Sequence, residues 1–339
     1  MLPERSFKTL RKCIDQTAAA DSLFKRMIKN DGTDIKLQPN RAMIHCLADC
    51  TDLGKIIIGE LQHDVDPNKI VSIEEKSEYN VQTLTDMNKS WITGIYGTSN
   101  GDLVIADFNN KCVKLLNHAY KVIDQVQLSN SPWCICNISS VEIAVTVSTP
   151  LADALNGVHL LRVDDGKIIR KQVLKLNHFC CGIAHIDAHL FVTSSNALYE
   201  YTMDGRLVKK LYEDNSEKYK VVGVGVSPGG KRIYLTYNSN GKLLTLTRDG
   251  KVTATLKDPA FKPYFPTANI HVATSGQLFV FGHKAIRQVD IVGNTILNTI
   301  SVDIPYPASV FFNEETRRLL VGFLGHNIIE FQTKTVPTC

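Results

Sequence analysis

The sequence holds few residue groups whose types and spacing could support catalysis. The Gly-x-Gly at 223–225 would suit a phosphate-binding loop, but no helix-forming segment follows it, so a dinucleotide site is weakly indicated. His178, His185 and His189 lie close in sequence, yet the first precedes a predicted inner strand and the others follow it. Solvated or hydrogen-bonded histidines are therefore favoured over metal ligands.

Two further groups carry side chains that could support chemistry. Asp107 ends an apolar strand and could act as a base. Cys46 and Cys50, with His45, could share one helix face, but two or three ligands are too few for a closed zinc site, and no Cys-x-x-Cys pair occurs. The sequence therefore predicts no catalytic residue, no metal and no cofactor, and the protein is expected not to be an enzyme.

The elements that would position any site come from a repeat. An apolar residue that ends a short apolar run recurs at intervals of 40, 48, 41, 46 and 40 residues. These markers are Ile95, Ile135, Ile183, Val224, Ile270 and Val310. Second apolar strands follow them at Leu103–Ala106, Glu142–Val147, Leu190–Thr193, Arg232–Thr236, Gln277–Phe281 and Arg318–Gly322. A period in the forties with four strands per unit predicts an all-β fold, a six-bladed β-propeller; an irregular β-sandwich is the alternative.

The last blade of the predicted ring needs a strand from elsewhere in the chain. The sixth repeat lacks a fourth strand, and a propeller must close to hide its edges. We therefore predict that Tyr79–Leu84 pairs into the last blade. The expected domains are an N-terminal helical segment at 1–53, a linker with the ring-closing strand at 54–90, and the propeller at 91–339.

Two helices are predicted in the N-terminal segment. Residues 5–30 show apolar positions at heptad spacing, which suits either a dimerising coiled coil or an amphipathic helix lying on the propeller. A shorter helix is predicted from Asn40 to about Asp52, with Pro39 before it and Gly54 after it.

Composition narrows the class of protein. The 339 residues carry a net charge of +4, with 44% hydrophobic and 21% charged residues, as in ordinary globular proteins. No signal peptide or membrane-spanning run is apparent, and the nine cysteines show no disulfide framework. These features favour a cytoplasmic protein with reduced thiols and no membrane contact.

The first repeat carries a family resemblance. Gly94-Ile95, Gly101, the VIAD at 104–107 and Asn109-Asn110 resemble an NHL repeat. LQPN at 37–40, TDLGKI at 51–56 and the WITGI opening at 91–95 resemble the invertebrate tripartite-motif-like NHL proteins. In that family a coiled coil leads into a six-bladed propeller, and the resemblance implies that the Asp107 carboxylate caps backbone amides. The chain lacks the paired Cys/His ligands of a RING or B-box, so the resemblance implies a substrate-receptor end without ubiquitin-ligase machinery.

A binding face is easier to predict than chemistry. In a propeller, the loops entering the inner strands and those joining second and third strands share one face, and here they carry aromatic, amide and basic side chains. The predicted face comprises Trp91, Asn109, Asn110, Lys111, Trp133, Phe179, Asn196, Asn238, Tyr264, Phe265, Lys284, Tyr306 and His326. Aromatic anchors among amides suit a peptide or unstacked RNA bases. Packing between blades is the alternative role for each single aromatic.

Three functions follow, in order of preference. The first is a non-enzymatic protein-interaction module that binds a protein or peptide on one face and dimerises through residues 5–30. The second is a single-stranded RNA-binding NHL propeller, with salt-sensitive affinity. The third is a propeller hydrolase or lyase, ranked last because the predicted inner strands are apolar or small, with His271 as their lone imidazole.

Overall fold

The computed structural model describes residues 66–149, 156–216, 221–238, 241–262, 267, 269–282, 285–304 and 306–336, with two short strands before them. The predicted helices at 5–30 and 40–52 lie outside the described residues. Among the helices of the described part of the chain, none is long and apolar enough to cross a membrane. The chain divides into two units, residues 1–66 and 67–339.

The described part of the first unit is one antiparallel pair. Strand β1 (Ile35–Gln38) pairs with β2 (Lys55–Ile58), with Leu37 opposite Ile56.

The second unit consists of six antiparallel sheets of four strands each, so the predicted six-bladed β-propeller is confirmed. Blade 1 contains β4 (Ile92–Gly97), β5 (Leu103–Asp107), β6 (Cys112–Leu116) and β7 (Val122–Gln127). Blade 2 contains β8 (Pro132–Asn137), β9 (Glu142–Val147), β10 (Gly157–Asp164) and β11 (Lys167–Lys175). Blade 3 contains β12 (Ile183–Ile186), β13 (His189–Ser194), β14 (Ala197–Thr202) and β15 (Leu207–Glu213).

The other three blades repeat this order. Blade 4 contains β16 (Val221–Val226), β17 (Arg232–Tyr237), β18 (Lys242–Thr247) and β19 (Val252–Lys257). Blade 5 contains β20 (Ile270–Val272), β21 (Leu278–Gly282), β22 (Ala285–Val289) and β23 (Ile296–Ser301). Blade 6 contains β24 (Pro307–Asn313), β25 (Arg318–Phe323), β26 (Asn327–Val336) and β3 (Ile70–Asn80). Two short 3-10 turns lie at Pro228–Gly230 and Pro259–Phe261.

All six marker residues lie in the innermost strands, as the repeat predicts. Each innermost strand contacts the innermost strand of the next blade, and β24 of blade 6 contacts β4 of blade 1, which completes the ring. The apolar side chains pack mainly between neighbouring blades: one cluster joins Phe281 of blade 5 to Val310 and Val321 of blade 6. The core is therefore divided into inter-blade layers, as expected when each repeat buries only part of its sheet alone.

The ring closes with a strand from the start of the second unit. β3 runs antiparallel to β26, with Tyr79 opposite Ile328 and Ile70 opposite Val336. The location of the clasp before blade 1 is thus as predicted, but the predicted bounds, Tyr79–Leu84, are wrong. The strand runs from Ile70 to Asn80, and its polar residues at 74–78 face solvent while their backbone pairs with β26.

Side-chain hydrogen bonds from the first or second strand of a blade join it to the next blade at every junction. A hydroxyl group donates to the next blade at five of them: Thr93 to Pro132 O (2.9 Å), Thr146 to Cys181 O (2.5 Å), Thr193 to Val222 O (2.8 Å), Thr236 to Asn269 Oδ1 (2.6 Å) and Ser309 to Ile92 O (2.8 Å). At the sixth junction, between blades 5 and 6, the bond is made by His271, whose Nε2 lies 3.3 Å from Phe312 O. We call this set the junction belt.

Candidate functional site

The residue directly after each marker occupies the same position in the innermost strand of its blade. These six residues, here called the inner ring, are Tyr96, Cys136, Ala184, Gly225, His271 and Phe311. Neighbouring members contact each other: the rings of His271 and Phe311 are 5.1 Å apart, and those of Phe311 and Tyr96 are 6.2 Å apart. Three adjacent blades therefore bring an imidazole, a phenyl ring and a phenol to one level around the centre of the propeller.

His271 is the titratable base of the inner ring. It lies in the middle of β20, which has three residues, all of them half-buried. Its imidazole packs edge-on to Phe311 and near the face of Phe279, with ring centres 6.5 Å apart in the latter pair. Burial lowers the pKa of His271 to about 4, partly offset by the hydrogen bond to Phe312 O and by Glu314. The imidazole is therefore neutral at pH 7, and with Nε2–H donating to Phe312 O, Nδ1 keeps a lone pair that can accept a proton.

The other polar members of the ring are proton donors. Burial raises the pKa of Tyr96, and the nearby Cys136 raises it further, so the phenol stays protonated. Burial also holds the pKa of the Cys136 thiol well above its usual value. Because a thiol attacks as its thiolate, Cys136 is unsuited to nucleophilic catalysis. The inner ring can thus supply a general base and a general acid.

The predicted binding face shows a row of aromatic side chains. Trp91, Phe108, Trp133 and Phe179 make successive edge-to-face contacts, with ring centres 4.7, 4.8 and 5.1 Å apart. Three of the four were named from the sequence; Phe108, next to the polar break after β5, was missed. Trp91 and Trp133 are only 9% and 7% exposed, whereas Phe108 and Phe179 are half-buried. The row therefore packs neighbouring blades together and leaves two ring edges within reach of solvent.

The other predicted face residues are polar, apart from three aromatic side chains, and several of them make contacts of their own. Asn109 donates to Lys89 O (2.8 Å) and Asn196 to Asn215 Oδ1 (2.8 Å). Lys111 and Tyr306 are exposed, and Asn238 and His326 are half-exposed. Tyr264, Phe265 and Lys284 lie outside the described residues. Ligand binding by this set stays a prediction.

Asp107 has the capping role that the resemblance implies. One carboxylate oxygen accepts hydrogen bonds from the backbone amides of Trp91 (3.2 Å) and Asn110 (3.3 Å). The other accepts from the Asn110 amide (2.9 Å) and from the Lys114 ammonium (3.0 Å). Asp107 is fully buried, so it holds loops together and is not placed to act as a base on a ligand.

Asp86, Asp107 and Cys112 lie close enough to hold a metal ion. Lys114 Nζ is 2.6 Å from the Asp86 carboxylate and 3.0 Å from that of Asp107, and both carboxylates have fully buried side chains. Burial raises the pKa of Cys112 to about 12, with Asp107 adding to the shift, so the thiol is protonated. The lysine ammonium provides the positive charge that these carboxylates need, so the geometry favours an ion pair over a metal centre.

His178 and His189 of blade 3 have separate hydrogen-bonding partners, whereas His185 lies near His189. His178 Nε2 lies 2.6 Å from the Tyr201 hydroxyl, while His189 Nδ1 is bonded to the buried Glu200. Arg248 of blade 4 also donates to Glu200 (2.6 Å). Burial lowers the pKa values of His178 and His185. Separate hydrogen-bonding partners are what the sequence favoured for this group.

No protein-family profile matches the sequence. No curated protein sequence matches it either. The resemblance to NHL and tripartite-motif-like proteins is therefore supported only as far as the propeller.

Solved structures do share the fold. Virginiamycin B lyase from Staphylococcus aureus, in selenomethionine form, is 15% identical, with a TM-score of 0.51 over 76% of this chain and 99% of that one. A catalytically inactive His→Ala variant of that lyase with quinupristin is 15% identical, with a TM-score of 0.53 over 76% and 99%. A streptogramin B lyase is 13% identical, with a TM-score of 0.54 over 77% and 98%. At these identities the likeness establishes the six-bladed propeller fold.

These neighbours correct one prediction. The chain was expected not to be an enzyme, because its predicted inner strands carry few polar groups. The solved propellers that it resembles are lyases, so the same ring of six blades does support catalysis. Sparse polar residues in the inner strands are therefore not a ground for excluding an enzyme, and the expectation is withdrawn.

Proposed function

We propose that this protein is a propeller lyase that uses the inner ring for acid–base chemistry, with His271 as the proton acceptor. The single observation that carries the proposal is a neutral imidazole, its Nε2 fixed on Phe312 O, in the innermost strand of blade 5. An elimination needs a base for the C–H proton and a donor for the leaving group. His271 offers an unprotonated ring nitrogen for the first role, and Tyr96, on the other side of Phe311, offers a phenol proton for the second.

The fold neighbours support the reaction class. Their names give lyase activity, and one of them is a histidine variant described as catalytically inactive. We infer streptogramin-type compounds as the first substrate class to test, with quinupristin as the probe.

The test is turnover of quinupristin followed by liquid chromatography and mass spectrometry. Elimination creates a carbon–carbon double bond without taking up water, whereas hydrolysis adds one water to the product. We expect water-free cleavage by the wild type and a loss of at least about a hundredfold in His271→Ala, as for a lost general base. His159→Ala is the matched control, because burial also lowers the pKa of this histidine but it lies in a third strand. No turnover by the wild type, addition of water, or equal activity of His271→Ala would contradict the proposal.

A protein-interaction role is a second candidate, favoured by the aromatic row. Phe108 and Phe179 leave part of their rings accessible beside two buried tryptophans, which resembles the anchor-and-rim arrangement of binding hot spots. We expect Phe179→Ala to weaken capture of a peptide ligand from a displayed library, relative to the exposed-face control Lys231→Ala. If the protein instead binds RNA and no peptide, and its affinity for RNA falls steeply as salt is added, the RNA-binding function replaces this candidate.

We propose a cytoplasmic protein that dimerises through residues 5–30, in line with the heptad spacing there. Light scattering of the full chain and of a chain lacking residues 5–30 tests this: a dimer in the first and a monomer in the second is expected.

A further inference from the structure

A cleft of about 480 Å³ lies where the ring closes, away from the inner ring. Its walls come from β3, from β26 and from the loop between β25 and β26. The apolar part of the lining is the half-buried Leu324, with the largely buried Phe323 and Ile329 beside it. Lys89, in the segment that leads from β3 into blade 1, and Asp303, which follows β23, complete the lining. This volume is in the lower part of the range for small-ligand sites.

The charges of the cleft are of both signs. Lys76 and Glu78 form an ion pair at 3.1 Å and largely neutralise each other. Lys89 and Asp303 are exposed, and within the described part of the chain neither side chain forms an ion pair. An apolar surface flanked by one available cation and one available anion favours a ligand that also carries both signs.

One polar atom in the wall is unsatisfied. Nδ1 of His326 is buried and has no hydrogen-bond partner among the described residues. The backbone carbonyl of the same residue accepts from Val81 N (2.8 Å), which fixes the loop against the closing segment. A buried nitrogen without a partner costs free energy that a ligand N–H could recover.

We infer that this cleft binds a short zwitterionic peptide with an apolar side chain. The side chain packs mainly on Leu324, the carboxylate faces Lys89 and the ammonium faces Asp303. Because the walls come from both ends of the propeller, a bound peptide also joins β3 to the segment entering blade 1. The site is separate from the proposed lyase centre.

The probe is the dipeptide Leu-Leu, compared with N-acetyl-Leu-Leu-amide, which keeps the side chains and removes both charges. Binding to the full chain is followed by amide chemical shifts in NMR. We expect Leu-Leu to bind and the capped form to bind at least about fivefold more weakly, with Lys89→Ala and Asp303→Ala each costing about threefold to fivefold. Lys231→Ala, another exposed lysine, is the matched control and should bind like the wild type.

The substituted side chains are exposed, so the variants should fold as the wild type does, and their melting curves check this. The inference is overturned if Leu-Leu causes no shifts at about 10 mM, a concentration at which even a weak site is occupied. It is equally overturned if the capped peptide or the two cleft variants bind as tightly as the unmodified pair.

Discussion

Lys114 holds the segment after the closing strand against blade 1. Its ammonium group is fully buried and contacts Val81 O (3.1 Å) and the carboxylates of Asp86 and Asp107. Val81 and Asp86 belong to the segment that leaves the closing strand, whereas Asp107 ends β5. The ion-pair network therefore attaches the closing segment to blade 1.

Removal of this ammonium should be severe. Lys114→Ala leaves the buried carboxylates without their cation, and we expect a loss of about 3–5 kcal/mol in the free energy of unfolding. Lys171→Ala, at an exposed position on β11, removes the same charge and should change stability by less than about 0.5 kcal/mol. Denaturant titration of both variants measures the difference, and a cost below about 1 kcal/mol for Lys114→Ala would contradict the network's role.

His271 should give the fold a pH dependence of known sign. Its folded pKa of about 4 lies below the unfolded value of 6.5, so between these values the unfolded chain binds a proton that the folded chain does not. Stability contributed by the neutral form is complete above pH 6.5 and falls as the pH drops through this window. The wild type should therefore lose about 2.5 kcal/mol more than His271→Asn between pH 7 and pH 4.5.

Denaturant titrations of both proteins at the two pH values measure this difference. The contributions of the other titrating groups are the same in both proteins, so they cancel. His118→Asn is the control, since His118 is exposed and lies outside the inner strands. It should keep the wild-type profile. Parallel profiles for the wild type and His271→Asn would show that the imidazole is not held neutral by burial.

At the scale of the elements, the junction belt ties each blade to its neighbour through buried or half-buried side chains. Thr193 is fully buried, donates to Val222 O and accepts from the amide of Gly182 at 2.8 Å. A single hydroxyl group thus connects its own blade to the next.

Thr193→Val keeps the shape of the side chain and removes this hydroxyl. Two buried backbone groups then lose a partner, and we expect a loss of about 2 kcal/mol in the free energy of unfolding. Thr193→Ser should retain most of the stability. Thr255→Val, at an exposed position of β19, is the matched control and should be nearly neutral. Equal denaturation midpoints for Thr193→Val and Thr193→Ser would show that the hydroxyl is dispensable.

The elements themselves were largely predictable. The repeat placed all six markers in innermost strands, and Glu142–Val147 was predicted with its observed bounds. The repeat is easy to recognise in the sequence because each blade buries apolar residues at the same positions of its strands. The closing strand was harder, since its outer residues at 74–78 face solvent and carry no apolar alternation.

The candidate site was predictable only in part. Trp91, Trp133 and Phe179 were placed on one face by counting loops. His271 stands out in the sequence as the lone imidazole of the predicted inner strands, but its contacts with Phe311 and Phe312 join residues about forty positions apart. Aligning the residue after each marker would have brought the inner ring together. The neutral state of the imidazole depends on packing from two blades, which no local pattern records.

At the scale of the whole molecule, closure depends on β3. This strand supplies the outer edge of blade 6, and it pairs with β26 along the whole of that strand. Deletion of residues 69–85 should therefore abolish cooperative unfolding, because blade 6 loses a strand and the ring loses its clasp. Thermal melts by circular dichroism measure this. A peptide of residues 67–85 added in trans should partly restore the transition, and a deletion variant that melts like its parent would contradict the prediction.

The origin of β3 has a consequence during biosynthesis. The strand is translated before any blade, but the edge it pairs with is completed only when residue 336 has left the ribosome. For nearly the whole of translation, β3 therefore remains unpaired and the propeller remains open. We therefore expect nascent chains stalled before β26 to be bound by chaperones, and full-length chains to be released once β3 has paired with β26.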